Sequence, residues 1–259
     1  WEIARGVVVR DRQHDKDELT IPEIMAVSSN IGAGKIALEL GAKNLFYYMK
    51  AFGFGTKTDI NFNGESKGYI LPYNKWTVVD TATKGYGYGV ALTPVQLIGA
   101  YSAVANGGWL MQPHLVDRIE YADGRTEQKA KTQKIRRVIK QETSDTMKKV
   151  LEHVVQEGSG KRARIKGYSV AGKTGTAEKL SQEGGYATRH HVVSFCGFTP
   201  IDDPQFTILV VLDNPSKYTF GGTAAAPVFK EVAEGLLAMQ GVPPDRPEEL
   251  QPKPKTPKI

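Results

Sequence analysis

The chain has 259 residues, with 34 Lys and Arg against 28 Asp and Glu for a formal charge of +6, 40% hydrophobic residues and 24% charged ones, the balance of a globular protein with enough apolar mass for a core. Its 27 Gly and 14 Pro are scattered rather than periodic, which excludes collagen-like, coiled-coil and disordered chains. Apolar runs such as 208–212 fall far short of the roughly 20 residues that cross a bilayer, and the modest charge, with no aromatic-interleaved basic motif, argues against nucleic-acid binding.

In chain order, the first residue is Trp1 with no leader pattern ahead of it, so the sequence reads as a portion of a longer chain. Thr20-Ile-Pro-Glu23 is a capping box with Pro22 in the first turn, which predicts a helix carrying Ile21, Ile24, Met25 and Val27 toward Ser28-Ser29-Asn30. A second helix is expected over 31–40, its Gly32, Ala33 and Gly34 permitting close packing and Gly41 ending it. A third runs over 44–51, and residues 53–90, rich in Gly, Asn, Lys and Tyr, read as loops with short strands.

Thr93 and Pro94 then open a helix with Val95, Ile98 and Tyr101 on one face, closed by Gly107. A polar segment to about Gln141 includes the basic run 129–140, read as a solvated face. Met147, Val150, Leu151, Val154 and Val155 space another helix from Thr143 or Ser144 to Gly158. Strand-like runs around Lys173, Val193 and Leu209 predict consecutive antiparallel strands. A helix over 224–239 follows, and the last 19 residues, with six Pro, read as a linker or tail.

Several familiar patterns fail on inspection. "SNIGAGKIAL" has Ser29 where a phosphate loop needs its first Gly and Ile36 where it needs Ser or Thr. "GYGYG" has Val90 in place of the third fingerprint Gly of a dinucleotide site. The five His show no ligand spacing, and the single Cys196 sits in an apolar strand-like run, so neither a metal site, a disulfide nor a reactive thiol is expected. "GYSVA" lacks the second Gly of a nucleophile elbow. Tyr86, Tyr88 and Trp109 read as packing aromatics.

Two patterns remain. A Ser-x-Asn triplet arises by chance about once in a chain this long, whereas Lys173-Thr174-Gly175-Thr176 arises on the order of once in several hundred such chains. A strand bearing that tetrad can pair with an extended peptide through its backbone, with Gly175 allowing close approach. Lys173 supplies positive charge, Thr174 and Thr176 can hydrogen-bond a terminal carboxylate, and the Thr176 N–H can stabilise a tetrahedral oxyanion. Ser28 can pass a proton to a leaving amine, and Asn30 can hold a substrate amide. This is the equipment of acyl transfer on a peptide, without its nucleophile.

Ser28-x-Asn30 and Lys173-Thr174-Gly175 resemble the second and third motifs of penicillin-binding proteins and serine β-lactamases. "GYGYGVALTPVQLIGAYSAVANGG", "IKGYSVAGKTGTAEK", "VVSFCGFTP" and "FGGTAAAPVFKEVAEGLL" are similar to the class B penicillin-binding transpeptidases, over roughly residues 5–245. The resemblance implies an α+β fold, an antiparallel sheet flanked by helices plus an all-helical lobe. It also implies catalytic roles for Ser28, Asn30 and Lys173 and substrate contacts for Thr174, Gly175 and Thr176.

No Ser-x-x-Lys occurs in the sequence, and the family places that motif ahead of the second one, so the nucleophile is expected upstream of Trp1 and these residues alone are expected to be inactive. Residues 1–240 are then the downstream part of a transpeptidase domain, and 241–259 a linker or tail. The implied function is cross-linking of peptidoglycan stem peptides through an acyl-serine intermediate, with β-lactams acylating the same serine and no cofactor. The expected location is the outer face of a bacterial membrane, with cell-wall synthesis or division proteins as partners. A D,D-carboxypeptidase or β-lactamase-like hydrolase is the alternative within the chemistry, and a non-catalytic binding module the alternative outside it. The loop 180–190 is expected to border the cleft, with Arg189 meeting an acidic substrate.

Overall fold

The computed structural model describes residues 1–11, 16–180 and 186–251. The chain divides into two compact units, residues 1–149 and residues from 150 onward.

The first unit begins with a two-stranded ribbon, β1 (Glu2–Ala4) and β2 (Val7–Val8). Helix α1 (Ile21–Val27) starts at the expected capping box: the Thr20 N–H and hydroxyl both donate to the Glu23 carboxylate, at 2.8 and 2.7 Å. An ion pair from Lys16, reinforced by these Thr20 bonds, holds the Glu23 carboxyl down to about 2. Helix α2 (Asn30–Leu40) follows after one turn of chain, and Gly41, at φ 79°, joins it to α3 (Ala42–Ala51). That positive φ is cheap only for Gly, which explains why the two helices meet at this residue.

The stretch read as loops holds β3 (Tyr69–Ile70) and a helix the sequence reading omits, α4 (Val78–Gly85). A second capping box starts it, with the Thr77 N–H and hydroxyl on the Asp80 carboxylate at 2.9 and 2.7 Å. The β-branched run Thr77-Val78-Val79 masks that signal because it favours a strand by propensity. α4 packs on α2 through small residues: a Cβ at Gly85 would lie 2.6 Å from both the Ala33 carbonyl oxygen and the Ala37 methyl. β4 (Val90–Ala91) pairs with β3, and α5 (Pro94–Ala105) is capped by Thr93 as expected.

The polar segment that follows carries β5 (Trp109–Met111), β6 (Arg118–Glu120), β7 (Thr126–Gln128) and β8 (Lys134–Arg137). These pair as β6 with β7 and β5 with β8. The basic run includes β8, which is exposed along its length. Lys134 and Arg137 lie over the Trp109 ring, 4.8 and 5.6 Å from its centre, so that aromatic does pack, against cations. Helix α6 (Gln141–Gln156) starts two residues before the expected position and runs through the division between the units.

The second unit is a three-stranded antiparallel sheet covered by a long helix. β9 (Ala171–Leu180), β10 (Tyr186–Thr199) and β11 (Phe206–Asp213) lie in the order β11-β10-β9, so β9 is an edge strand. Helix α7 (Gly221–Met239) begins three residues before the expected Ala224. Its Ala225, Ala226, Phe229, Ala233 and Leu237 form the buried stripe expected of an amphipathic helix. Phe229 meets Phe195 of β10 at 4.7 Å between ring centres. The fold is α+β, with helices and antiparallel sheets.

Residues 241–251 are not a free linker. Val242 packs on the core, Asp245 accepts from the Ser169 N–H at 2.8 Å and from its hydroxyl, Arg246 pairs with Glu152, and Glu249 accepts from the Gly167 N–H at 3.1 Å. The Pro content that suggests a linker coexists with charged residues whose partners lie some 75 to 95 positions upstream, which no local pattern shows. Residues 252–259 lie outside the described residues.

Candidate active site

The tetrad lies on β9, in register with β10: Lys173 opposite Cys196, Thr174 opposite Phe195, Gly175 opposite Ser194 and Thr176 opposite Val193. Side chains alternate across a strand, so Lys173 and Gly175 share one face, Thr174 and Thr176 the other. The exposure of the strand rises along it, from buried Ala171 and Gly172 to exposed Thr176. The tetrad therefore starts in the core and ends at the surface. Burial pushes the Cys196 thiol upward, so it stays protonated, as a strand-core sulfur should.

The Lys173 ammonium donates to the Thr174 carbonyl at 3.0 Å and to its hydroxyl at 3.3 Å. The same hydroxyl meets the Ser159 hydroxyl at 2.9 Å. Thr174 is therefore oriented from two sides, by its neighbouring cation and by a residue between α6 and β9.

Glycines set how closely α7 approaches. A Cβ on Gly221 would lie 2.3 Å from the Ser194 carbonyl oxygen and 2.6 Å from that of Gly175, and one on Gly222 would lie 2.3 Å from the Ser159 carbonyl oxygen. Neither position accepts a side chain without moving backbone. The Gly221 N–H, in the first turn of α7, points at the Thr176 hydroxyl at 3.3 Å. A helix N-terminus offers N–H donors and partial positive charge, so this end of the strand favours an anion.

Ser28 and Asn30 lie in the first unit, at the junction of α1 and α2. Ser28 ends α1 with φ 60° and ψ 48°, an uncommon conformation for a non-glycine residue that turns the chain sharply. It leaves Ser28 exposed and Ser29 buried. The Ser29 hydroxyl caps α2, accepting from the Gly32 N–H at 2.8 Å and donating to Asp11, whose other oxygen accepts from the Ile31 N–H at 2.9 Å. Asn30 is the first residue of α2 and is partly buried. The structure thus gathers Lys173, Thr174, Gly175 and Thr176 with Ser159 and Gly221 in one unit and places Ser28 and Asn30 at a helix junction in the other.

Sequence reasoning alone does not find Asp11, Ser159, Gly221 or Gly222. The only signal for them is Gly221-Gly222 ahead of a run of small residues, which reads as close packing once a partner strand is known. The Arg189 side chain lies outside the described residues.

The sequence matches the family model of the penicillin binding protein transpeptidase domain over residues 3–234. The chain belongs to this family. Among curated relatives of these transpeptidases, stage V sporulation protein D of Bacillus subtilis is 41% identical over 229 residues, covering 87% of this chain and 35% of the relative. The probable peptidoglycan D,D-transpeptidase PbpC of Pseudomonas aeruginosa is 34% identical over 247 residues, covering 95% and 41%. Among solved structures, penicillin binding protein 3 of Mycobacterium tuberculosis complexed with ampicillin superposes with a TM-score of 0.86 at 30% identity, covering 98% of this chain and 57% of that one. The chain spans less than half the length of these two curated relatives. The class B resemblance read from the sequence agrees with these transpeptidase relatives, as does the α+β fold.

Proposed function

We propose that the protein containing this chain is a serine-type peptidoglycan D,D-transpeptidase. The observation that carries the reading is the Lys-Thr-Gly-Thr tetrad on the sheet-edge strand β9, with its Thr174 hydroxyl oriented by Lys173 and Ser159. An edge strand offers unpaired backbone groups to an extended peptide, which is how a stem peptide would lie along it.

In this reading a serine hydroxyl attacks the carbonyl carbon between the two terminal D-Ala residues of a stem. The tetrahedral intermediate collapses, the C–N bond breaks, and D-Ala leaves as a protonated amine, leaving an acyl-serine ester. The amine of a second stem attacks that ester, forms the cross-link and returns the proton to the serine. Lys173, Thr174 and Thr176 hold the substrate carboxylate beside the first turn of α7, and the Thr176 N–H stabilises the oxyanion. Ser28 carries the proton toward the leaving amine, and Asn30 holds the substrate amide. The chemistry needs a Ser-x-x-Lys pair that these 259 residues do not contain, and the proposal assigns it to sequence ahead of Trp1.

A β-lactam presents a strained amide and a carboxylate in the arrangement of D-Ala-D-Ala, so it would acylate the same serine. Peptidoglycan is outside the cytoplasm, and the domain would work there, at the outer face of the membrane with other cell-wall synthesis proteins. No helix among the described residues is long and apolar enough to cross a membrane. Residues 1–240 are proposed as the downstream part of the transpeptidase domain, with 241–251 packed on it.

Full-length protein, given a pentapeptide stem ending in D-Ala-D-Ala and an acceptor stem with a free amine, tests the reading. Transpeptidation releases one D-Ala per cross-linked product. Release of D-Ala with only a shortened stem would instead show a carboxypeptidase, and no release from folded protein would return the non-catalytic module.

A further inference from the structure

We propose that the first unit carries a binding site for a single-chain carboxylate amphiphile, its aliphatic chain in the cavity beside α5 and its carboxylate at Lys57 and Arg136. The cavity has a volume of about 340 Å³, at the lower end of pockets that hold small organic ligands. Its floor is a stripe of α5, Val95, Ile98, Gly99 and Ser102, and its walls are Phe52, Leu110 and Ile135. These residues recur at helical spacing, so α5 turns a partly buried stripe to this space, while Ala100, Ala103 and Ala105 are buried.

The mouth is polar and fixed. The buried Gln96 amide donates to the carbonyls of Thr56 at 2.7 Å and Lys67 at 2.8 Å, and the Gln112 amide donates to those of Thr58 at 2.6 Å and Asp59 at 3.0 Å. The loop that bears Lys57 is therefore held from both sides before any ligand arrives, which lowers the entropic cost of binding.

The charge around the mouth selects an anion. The Arg136 guanidinium is held by the carbonyls of Ala51 at 2.7 Å and Lys50 at 3.2 Å. The Lys50 ammonium is pinned beside it, on the Gly55 carbonyl at 3.1 Å and the Thr56 hydroxyl at 2.7 Å. Burial lowers the proton affinity of Lys50, and the charges of Arg136 and Lys67 lower it further. Glu65 is engaged by the N–H groups of Thr58 at 2.7 Å and Asp59 at 3.2 Å, and Asp59 is the carboxylate that lines the cavity. Lys57 and Arg136 against the single carboxylate of Asp59, beside an apolar stripe, match a ligand that is anionic at one end and aliphatic at the other. The site is independent of the transpeptidase reading.

Isothermal titration of the full chain with octanoate and with 1-octanol, below their aggregation limits, tests it. Octanoate should bind saturably at one site, and the alcohol, which lacks the charge, at least about tenfold more weakly. Gly99→Leu should abolish octanoate binding, because a Cβ there meets only Leu110 at 3.7 Å and the rest of the side chain enters the cavity. Lys57→Gln, at an exposed position, should weaken octanoate severalfold and leave the alcohol unchanged, and it decides the matter if the leucine variant does not fold. Absence of saturable octanoate binding, equal affinity for the alcohol, or octanoate binding unaffected by either substitution would overturn the proposal.

Discussion

At the scale of the residue, Ser169 shows how one small polar side chain ties distant segments together next to β9. Its carbonyl accepts from the Thr199 hydroxyl at 2.7 Å, its hydroxyl accepts from the Ile201 N–H at 2.8 Å and donates to Asp245, and its own N–H donates to the same carboxylate at 2.8 Å. It is buried and stands two residues before β9. Ser169→Ala should cost about 1–3 kcal/mol, the penalty of a buried donor and a carboxylate left short of a partner. Urea denaturation would read this as a lower midpoint with an unchanged slope, and a loss under about 0.5 kcal/mol would show that the hub is not a stabilising one. The tetrad itself was legible because four specified residues in a row are rare by chance. Ser28 and Asn30 were legible only beside it, since Ser and Asn near a helix start serve mostly as caps. Ser159 and Gly221 were not legible, because their contacts with Thr174 and Thr176 join residues 15 and 45 positions apart and leave no local pattern.

At the scale of the element, helix starts were the most readable feature of the chain. The capping box at Thr20 and the cap at Thr93 with Pro94 locate α1 and α5, whereas the box at Thr77 that starts α4 lies in a stretch whose Gly, Asn, Lys and Tyr content reads as loop. The stretch before Gln141 failed for a different reason: β5 and β8 pair across more than 20 residues, a contact that alternation within either strand does not encode. The box at α1 has a testable pH signature. The Glu23 carboxyl is held near 2 in the folded protein against an ordinary 4.5, so its contribution to stability is present above about pH 4.5 and fades as pH falls toward 2. Glu23→Gln should lower the melting temperature at pH 7 and by clearly less near pH 2, and an equal deficit at both would show that the carboxylate charge is not what α1 uses.

At the scale of the whole molecule, the resemblance implies a sheet flanked by helices plus a helical lobe within residues 1–240, and the contacts form two compact units with the candidate motifs divided between them. Composition cannot show such a division, since both halves mix helix and strand and share α6. The Pro-rich end was read as tail because Pro and Lys dominate it, yet Val242, Asp245, Arg246 and Glu249 fasten residues 241–251 to the second unit. The central claim is that β9 presents Lys173 and its neighbours to an acyl-donating substrate. The most direct test is the rate at which full-length protein acquires a covalent, denaturation-resistant label from a fluorescent penicillin, compared with Lys173→Ala under the same conditions. The account predicts stoichiometric labelling of the unsubstituted protein and acylation slowed on the order of 10²-fold or more in the variant, the scale of losing a charged group from an acyl-transfer site. Folded full-length protein that takes up no label, or a Lys173→Ala variant acylated at an unchanged rate, would contradict it.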